Sequence, residues 1–411
     1  MRIVYLNPCG QMGGAEISLV DLISSVRTAE PDWELHLVAG ENGPLIDRVK
    51  DLGVETLVVP FPGALARLGD SGENPLATLA KGLIAAGATL QYALRLQRAL
   101  SEIQPDLVHS NGFKMHVLGL WSSPSRTPVI WHVRDFVSSR AWMRRLLQFH
   151  ARRCAAVVAN SESVAEDVRT ICGRSPETHC VYNAIDLQRY SPDGPKADLD
   201  SLSDLAPAPE GILRIGLIAT LAHWKGHRVF LRALAQLPAG LNYRAYVIGG
   251  AIYQTSGSQQ TLDELRALAR ELGIAERVGF TGFVGDTGSA MRALDVVVHA
   301  STEPEPFGRV VVEALACGRA VIYSAAGGTA ELVTEHVDAL GHRPGDDAGL
   351  AARIAELARD PQLRDRLGRA GRVTAEQRFD RRRLAGEIVP LYRRFAAPAS
   401  GEMPEELAVS R

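Results

Sequence analysis

The chain has 411 residues, 46% of them hydrophobic and 22% charged. At about 150 residues per domain this length predicts two or three domains, with cores large enough to need no disulfide or metal staple. Lys and Arg number 45 against 47 Asp and Glu, a formal charge of -2, which excludes nucleic acid as a bulk electrostatic partner.

Five scattered cysteines, Cys9, Cys154, Cys172, Cys180 and Cys317, include no C-x-x-C pair and predict a reduced, cytoplasmic environment rather than a disulfide framework or zinc site. The first apolar run, Ile3–Leu6, is too short for a secretory signal, and no stretch approaches the ~18 uninterrupted apolar residues of a membrane span. Short β-branched runs then alternate with amphipathic stretches: Arg2–Asn7 and a helix from about Ala15, Leu35–Ala39, Thr56–Val59, Leu107–His109, Val129–His132 and Ala156–Ala159. Such alternation predicts βαβ units around a buried parallel sheet. It pauses over 191–212, rich in Pro, Asp, Ser and Ala, and resumes with Leu213–Ile218, Tyr243–Ile248, Val278–Phe280, Val296–His299 and Ala320–Tyr323. The expectation is an α/β chain of two doubly wound domains, 1–190 and 213–380, facing a cleft and joined by a linker at 191–212. A helix over 381–397, kinked at Pro390, is expected to return to the first domain, ahead of a tail at 398–411.

Four segments carry chemistry. In S-T-E-P-E-P-F-G-R-V-V-V-E-A-L-A-C-G, 301–318, Pro306 and Gly308 place Glu305 in a loop and open a helix near Arg309, with Glu313 one turn inside. A helix mouth suits polar ligand groups, and a carboxylate on the apolar stripe of Val311, Val312 and Leu315 needs a partner, for which a ribose diol serves. The spacing alone also fits an exposed glutamate and a capping loop. Gly10-Gln-Met-Gly13-Gly14-Ala-Glu16 follows the first strand and fits either close approach to a phosphate or sugar, or a tight βα turn. Lys225-Gly226 lies past the strand Leu213–Ile218, where open α/β sheets bind ligands, and suits a diphosphate, although in isolation it reads more readily as a solvated surface lysine. Gly327-Gly328-Thr329, before Glu331, repeats the glycine-then-helix pattern.

Together these segments resemble the retaining glycosyltransferases of the GT-B fold, specifically family 4. The resemblance rests on E-P-F-G-x4-E-A-x3-G (Glu305–Gly318), G-G-A-E (Gly13–Glu16), V-V-A-N-S-E (Val157–Glu162), Y-N-A-I-D-L-Q-R-Y (Tyr182–Tyr190), F-T-G-F-V (Phe280–Val284) and L-D-V-V-V-H-A (Leu294–Ala300), in the family's order. It implies a nucleoside-diphosphate sugar donor, UDP- or GDP-linked, in the C-terminal domain, an unidentified acceptor in the N-terminal domain, and no cofactor or metal. Glu305 would contact the transferred sugar, Glu313 the ribose, the amides of Phe307 and Gly308 the sugar hydroxyls, and Lys225 the departing diphosphate. Gly13 and Gly14 count among the donor contacts, and His132 becomes a catalytic candidate near the sugar; without the resemblance it reads also as a satisfied strand-end histidine. His109, Asn111, Lys114 and Asp135 are candidate acceptor contacts.

One departure stands out: Thr220 replaces the family's arginine, leaving His223, His227 or Arg228 to supply charge beside Lys225. The single D-x-D, Asp198-Leu-Asp200, falls in the expected linker. Segment 134–153, with Trp142, Met143, Leu146 and Leu147 opposite several arginines, reads as a domain helix with a solvated basic face or as a peripheral contact with anionic lipid at the inner face of the membrane. The helical stretch 76–100 carries the same ambiguity. A GT-B epimerase or phosphorylase, or a non-catalytic sugar-nucleotide-binding protein, are the alternative readings.

Overall fold

The computed structural model describes residues 1–63, 75–250 and 259–396; in the helix Pro75–Ile103, side chains are described from residue 86. Most of the 76–100 stretch is therefore described, and the tail at 398–411 lies outside the described residues.

The β-branched runs of the first half form β1 (Arg2–Asn7), β2 (Glu34–Ala39), β3 (Glu55–Val58), β4 (Leu107–Asn111), β5 (Val129–Val133), β6 (Ala156–Ala159) and β7 (Glu177–Cys180). All pair in parallel, in the order β3-β2-β1-β4-β5-β6-β7. Every residue of β4, β5 and β6 is buried, as a parallel sheet covered on both faces requires, and this is why those runs read as continuous rather than alternating. The second half builds β8 (Leu213–Ile218), β9 (Tyr243–Ile248), β10 (Val278–Gly282), β11 (Val296–His299), β12 (Ala320–Ser324) and β13 (Leu340–His342), also parallel, in the order β10-β9-β8-β11-β12-β13. The strands β7 and β13 were not anticipated. Both are edge strands, one of mixed polarity and one only three residues long, so neither produces an apolar run.

In each sheet the strand order reverses once, between β1 and β4 and between β8 and β11. The carboxyl ends of the strands flanking such a reversal are where open α/β sheets bind ligands. Those ends carry Asn7, His109 and Asn111 in one sheet, and the loops that hold Lys225 and Glu305 in the other.

The chain divides into two compact units, one of 1–159, 167–181 and 385 onward, the other of 160–166 and 182–384. The stretch 191–212, expected as a linker, is packed into the second unit. Buried Arg292 donates to the carbonyls of Arg189, Ser191 and Pro195, and Leu199 enters the core. The D-x-D carboxylates are consumed locally: Asp198 accepts from the Ser201 amide (3.0 Å), capping the short helix Leu199–Leu202. Asp200, buried, accepts from Arg214 (2.8 Å), the Ala208 amide (3.0 Å) and the Tyr246 hydroxyl (2.8 Å). Polar composition hid this because the segment is anchored by hydrogen bonds and ion pairs rather than by an apolar face.

Burial by itself would raise the Asp200 carboxyl, but these donors outweigh it and hold it below its ordinary value. Its contribution to stability is therefore full above the unfolded-state value near 4 and disappears as pH falls through the lower, folded one. Asp200→Asn should destabilise the second unit by ~2–3 kcal/mol at pH 7, since it leaves partly buried guanidinium groups unpaired. Urea titrations of both proteins should show that gap closing between pH 5 and pH 3.

Candidate active site

In the second unit the loop after β8 turns through a short 3-10 segment, His223–Lys225, into Gly226, whose φ is +74°. A side chain at Gly226 would place its Cβ 1.8 Å from the Ala300 carbonyl oxygen, so only glycine allows the β8 loop to seat on the end of β11. The seat is closed by the Thr302 amide donating to the Trp224 carbonyl (2.7 Å), and the Trp224 ring lies 4.0 Å from the Lys225 ammonium. Lys225 Nζ then reaches Glu305 Oε1 at 2.6 Å.

The same oxygen accepts from His299 Nε2 (2.8 Å) and from the Ser301 hydroxyl. The Ser324 amide donates to His299 Nδ1 (3.3 Å), which assigns the imidazole proton to Nε2. Burial alone would raise the Glu305 carboxyl, yet the charge of Lys225, together with the hydrogen bonds donated by His299 and Lys225, holds it far below the usual carboxylate range. Glu305 is thus a fixed anion, buried but polarised by donors from three places in the chain. The loop after β12 is tied to it, since the Gly328 amide donates to the Glu305 carbonyl (2.8 Å).

The expected helix opens at Arg309 and runs to Ala316, with Gly308 at its start in the left-handed region (φ +91°). The Phe307 side chain is buried against Tyr182 and Phe379, so Phe307 has only its backbone to offer a ligand. Glu313 is buried, as its position on the apolar stripe implied, but its partner is a residue the sequence reading overlooked. Arg309, four residues earlier, donates to Glu313 Oε1 at 2.7 Å and also to the Ala184 carbonyl. Burial raises the Glu313 carboxyl above its ordinary value and Arg309 only partly opposes this.

Thr220 lies half-buried just past β8. Of its three candidate substitutes in charge, His227 is fully buried and accepts a hydrogen bond from Gln260 (2.9 Å); burial lowers it to about 4, so it is neutral and supplies no charge at pH 7. His223 and Arg228 remain exposed near Glu264.

In the first unit, Gly13 and Gly14 open the helix Gly14–Ala29, and the Gly13 amide is taken by Glu16 Oε2 (3.2 Å). His109 and Asn111 are interior residues rather than open acceptor contacts. Asn111 accepts from Arg134 Nε (2.8 Å) and donates to Asn7 (2.6 Å), which in turn donates to Glu16 (3.3 Å). Both ring nitrogens of His109 are occupied, one by His132 Nδ1 (3.0 Å) and one by the Tyr392 hydroxyl (2.8 Å). His132 itself is buried at the carboxyl end of β5. Lys114 is half-buried at the start of the helix Phe113–Ser122, and Asp135 accepts the Phe136 amide (2.9 Å) and faces Arg140 at 3.6 Å.

The overlooked residues, His299, Arg309, Arg134 and Tyr392, left faint traces. His299 ends an apolar strand, and Arg309 stands at helical spacing from an obviously buried carboxylate. The contact of Tyr392 with a strand 283 residues away leaves none. Arg309→Leu should destabilise the second unit by ~3 kcal/mol near pH 8, because Glu313 would remain buried without its ion-pair partner. With Arg309 gone the folded-state value of Glu313 rises further, so the penalty should shrink toward pH 4, where the carboxyl protonates in both states; urea titrations at the two pH values check this.

Two family models match the chain: Glycosyltransferase Family 4 over residues 12–189 and Glycosyl transferases group 1 over residues 206–374. The lipopolysaccharide core biosynthesis glycosyltransferase LpsD of Rhizobium meliloti is 26% identical over 86% of this chain and 94% of its own. Alpha-maltose-1-phosphate synthase of Mycobacterium tuberculosis is 26% identical over 97% of this chain and 100% of its own. Among solved structures, Anabaena HepE in complex with UDP-glucose superposes with a TM-score of 0.76 at 27% identity, covering 96% of this chain and 100% of HepE. With both halves matched and two parallel α/β units in the fold, the chain belongs to the group 1, family 4 glycosyltransferases of the GT-B fold.

Proposed function

We propose that this enzyme is a retaining glycosyltransferase that moves a hexose from a UDP-linked donor to a glycolipid or polysaccharide acceptor, without a catalytic metal. The observation that carries the reading is the Lys225–Glu305 pair at the switch point of the second sheet. A diphosphate entering there competes with Glu305 for the Lys225 ammonium, which then neutralises charge as the bond from the anomeric carbon to the phosphate oxygen breaks. Glu305, relieved of that cation but still held by His299 and Ser301, turns its charge on the positive anomeric carbon. The acceptor oxygen bonds to that carbon from the face the phosphate leaves, and its proton passes to the departing phosphate. Glu313 binds the ribose hydroxyls and the amides of Phe307 and Gly308 the sugar, and His132 of the first unit acts in the transfer. The HepE complex with UDP-glucose supports uridine and a hexose. Metal independence is supported by a fixed lysine at the diphosphate position and by D-x-D carboxylates already committed to a cap and an ion pair.

The acceptor reading is supported by the likeness to LpsD and by the helix Ala141–His150. Leu147 and His150 face inward, whereas Trp142 is 79% and Phe149 80% exposed. Trp142 therefore shares the outward surface with Arg144 and Arg145 rather than lying opposite the arginines, and aromatic rings interleaved with cations suit an anionic lipid interface. Among the described residues no helix is long and apolar enough to cross a membrane.

UDP at 100 times its dissociation constant should stabilise the protein by about 2.7 kcal/mol in a thermal-shift panel, with GDP and ADP well behind. No shift with any nucleotide would overturn the donor assignment. Glu305→Gln should lower turnover ~10²–10³-fold while UDP affinity stays within a few-fold, and EDTA should leave turnover unchanged. Lost nucleotide binding with unaltered residual turnover would refute the role given to Glu305. Vesicles containing anionic lipid should carry the protein upward in flotation at low salt and release it on Trp142→Ala/Phe149→Ala; no flotation at low or moderate salt removes the membrane contact.

A further inference from the structure

The histidines at the carboxyl edge of the first sheet form a directional row. Arg134 Nη2 lies 3.2 Å from His132 Nδ1, and a guanidinium only donates, so that nitrogen carries no proton. His109 Nε2, 3.0 Å from the same nitrogen, must then be the donor between the two rings. Its other nitrogen, Nδ1, becomes an acceptor, and the Tyr392 hydroxyl donates to it at 2.8 Å. The reverse assignment points an N–H of His132 at an N–H of Arg134. One pattern of protons therefore serves all three contacts, with Arg134 and His109 sharing the single lone pair of His132 Nδ1, and it leaves the His132 proton on Nε2, a buried nitrogen without a hydrogen-bond partner among the described residues.

The rings are also fixed in orientation. His109 meets His132 edge-on with centroids 5.1 Å apart and Tyr392 edge-on at 5.7 Å, while Tyr5 packs on it at 5.4 Å. Tyr392 comes from the helix Arg383–Phe395, the last among the described residues, which is docked on the first unit by the Ala385 amide donating to Ser25 and by Arg393 pairing with Glu30. Burial first, and then the charge of Arg134, push both histidines well below their ordinary values, in keeping with neutral rings.

We propose that Tyr392 and His109 are positioning residues which, with Arg134, lock His132 as the neutral Nε2–H tautomer, so that His132 serves the transfer reaction as a hydrogen-bond donor to a substrate oxygen and not as a general base. This rests on the glycosyltransferase reading above. A base would need a free lone pair on Nε2, and the row denies it one; a donor needs an unpartnered N–H, and the row supplies one.

Long-range 1H–15N NMR of the imidazoles in the free, full-length wild-type enzyme should show His132 and His109 as neutral Nε2–H tautomers from pH 6 to pH 8. A His132 that is Nδ1–H or doubly protonated in that range overturns the proposal whatever the activity. With a UDP-hexose donor, Tyr392→Phe should lower kcat about tenfold with KM for the donor within twofold, and should shift the His109 Nδ1 resonance, which loses its hydrogen bond, in the same spectra. Unchanged kcat with an unshifted His109 Nδ1 resonance removes Tyr392 from the row. His132→Gln, whose amide N–H reaches toward the Nε2 position, should keep at least ten times the turnover of His132→Asn; equal loss in both refutes the donor role. Wild-type enzyme that neither binds nor turns over any nucleotide sugar instead overturns the transferase reading and with it the catalytic half of this proposal, while the spectra still decide the tautomer.

Discussion

A buried anion is the constraint around which the second unit is arranged. Taking the Glu305 carboxylate out of water costs several kcal/mol unless donors replace the lost solvent. The replacements come from the loop after β8 (Lys225), the last residue of β11 (His299) and the loop that follows it (Ser301). Each must arrive at one oxygen, so the loops that deliver them have little freedom. Gly226 pressed on Ala300, the amide of Thr302 on Trp224 and the amide of Gly328 on Glu305 are the means by which three loops are held to that geometry. A position that binds an anion this firmly is also one where a competing anion can exchange partners, and that links the stability of the unit to its chemistry.

The first unit solves a related problem with neutral groups. Its sheet edge is lined by histidine, asparagine and tyrosine side chains, with Arg134 and Glu16 as the charged members. Neutral imidazoles have one donor and one acceptor each, so a row of them transmits orientation along its length: fixing the proton at one end fixes it at the other. The two sheets share a topology, a reversal of strand order with function gathered at the carboxyl ends, yet one is built around a charge and the other around a pattern of protons.

Most of the fold was legible because a parallel sheet covered on both faces writes itself as uninterrupted β-branched runs. β1, β6, β8, β9 and β11 begin and end where the runs do, and the two strands missed, β7 and β13, both lie at a sheet edge and lack an apolar run. Glu305, Glu313 and Lys225 were legible as chemistry out of place: a carboxylate on an apolar stripe and a lysine at a strand end. Their partners were less so. Arg309 could have been found from helical spacing to Glu313, but arginines are common on helix surfaces and spacing alone does not choose among them. The segment 191–212 misled because burial through ion pairs, as at Asp200, leaves no periodicity to detect. Tyr392 was out of reach, since nothing local announces a contact with β4.

That last contact bears on how the protein is made. β1 leaves the ribosome early, but the hydroxyl that completes the shell of His109 belongs to residue 392, and the amide that donates to Ser25 belongs to Ala385. The second unit, by contrast, draws on a nearly continuous stretch that is fully synthesised before residue 385. The first unit to be started is therefore the last to be finished, and its sheet edge must wait, with histidines unmatched, for some 280 residues of intervening chain.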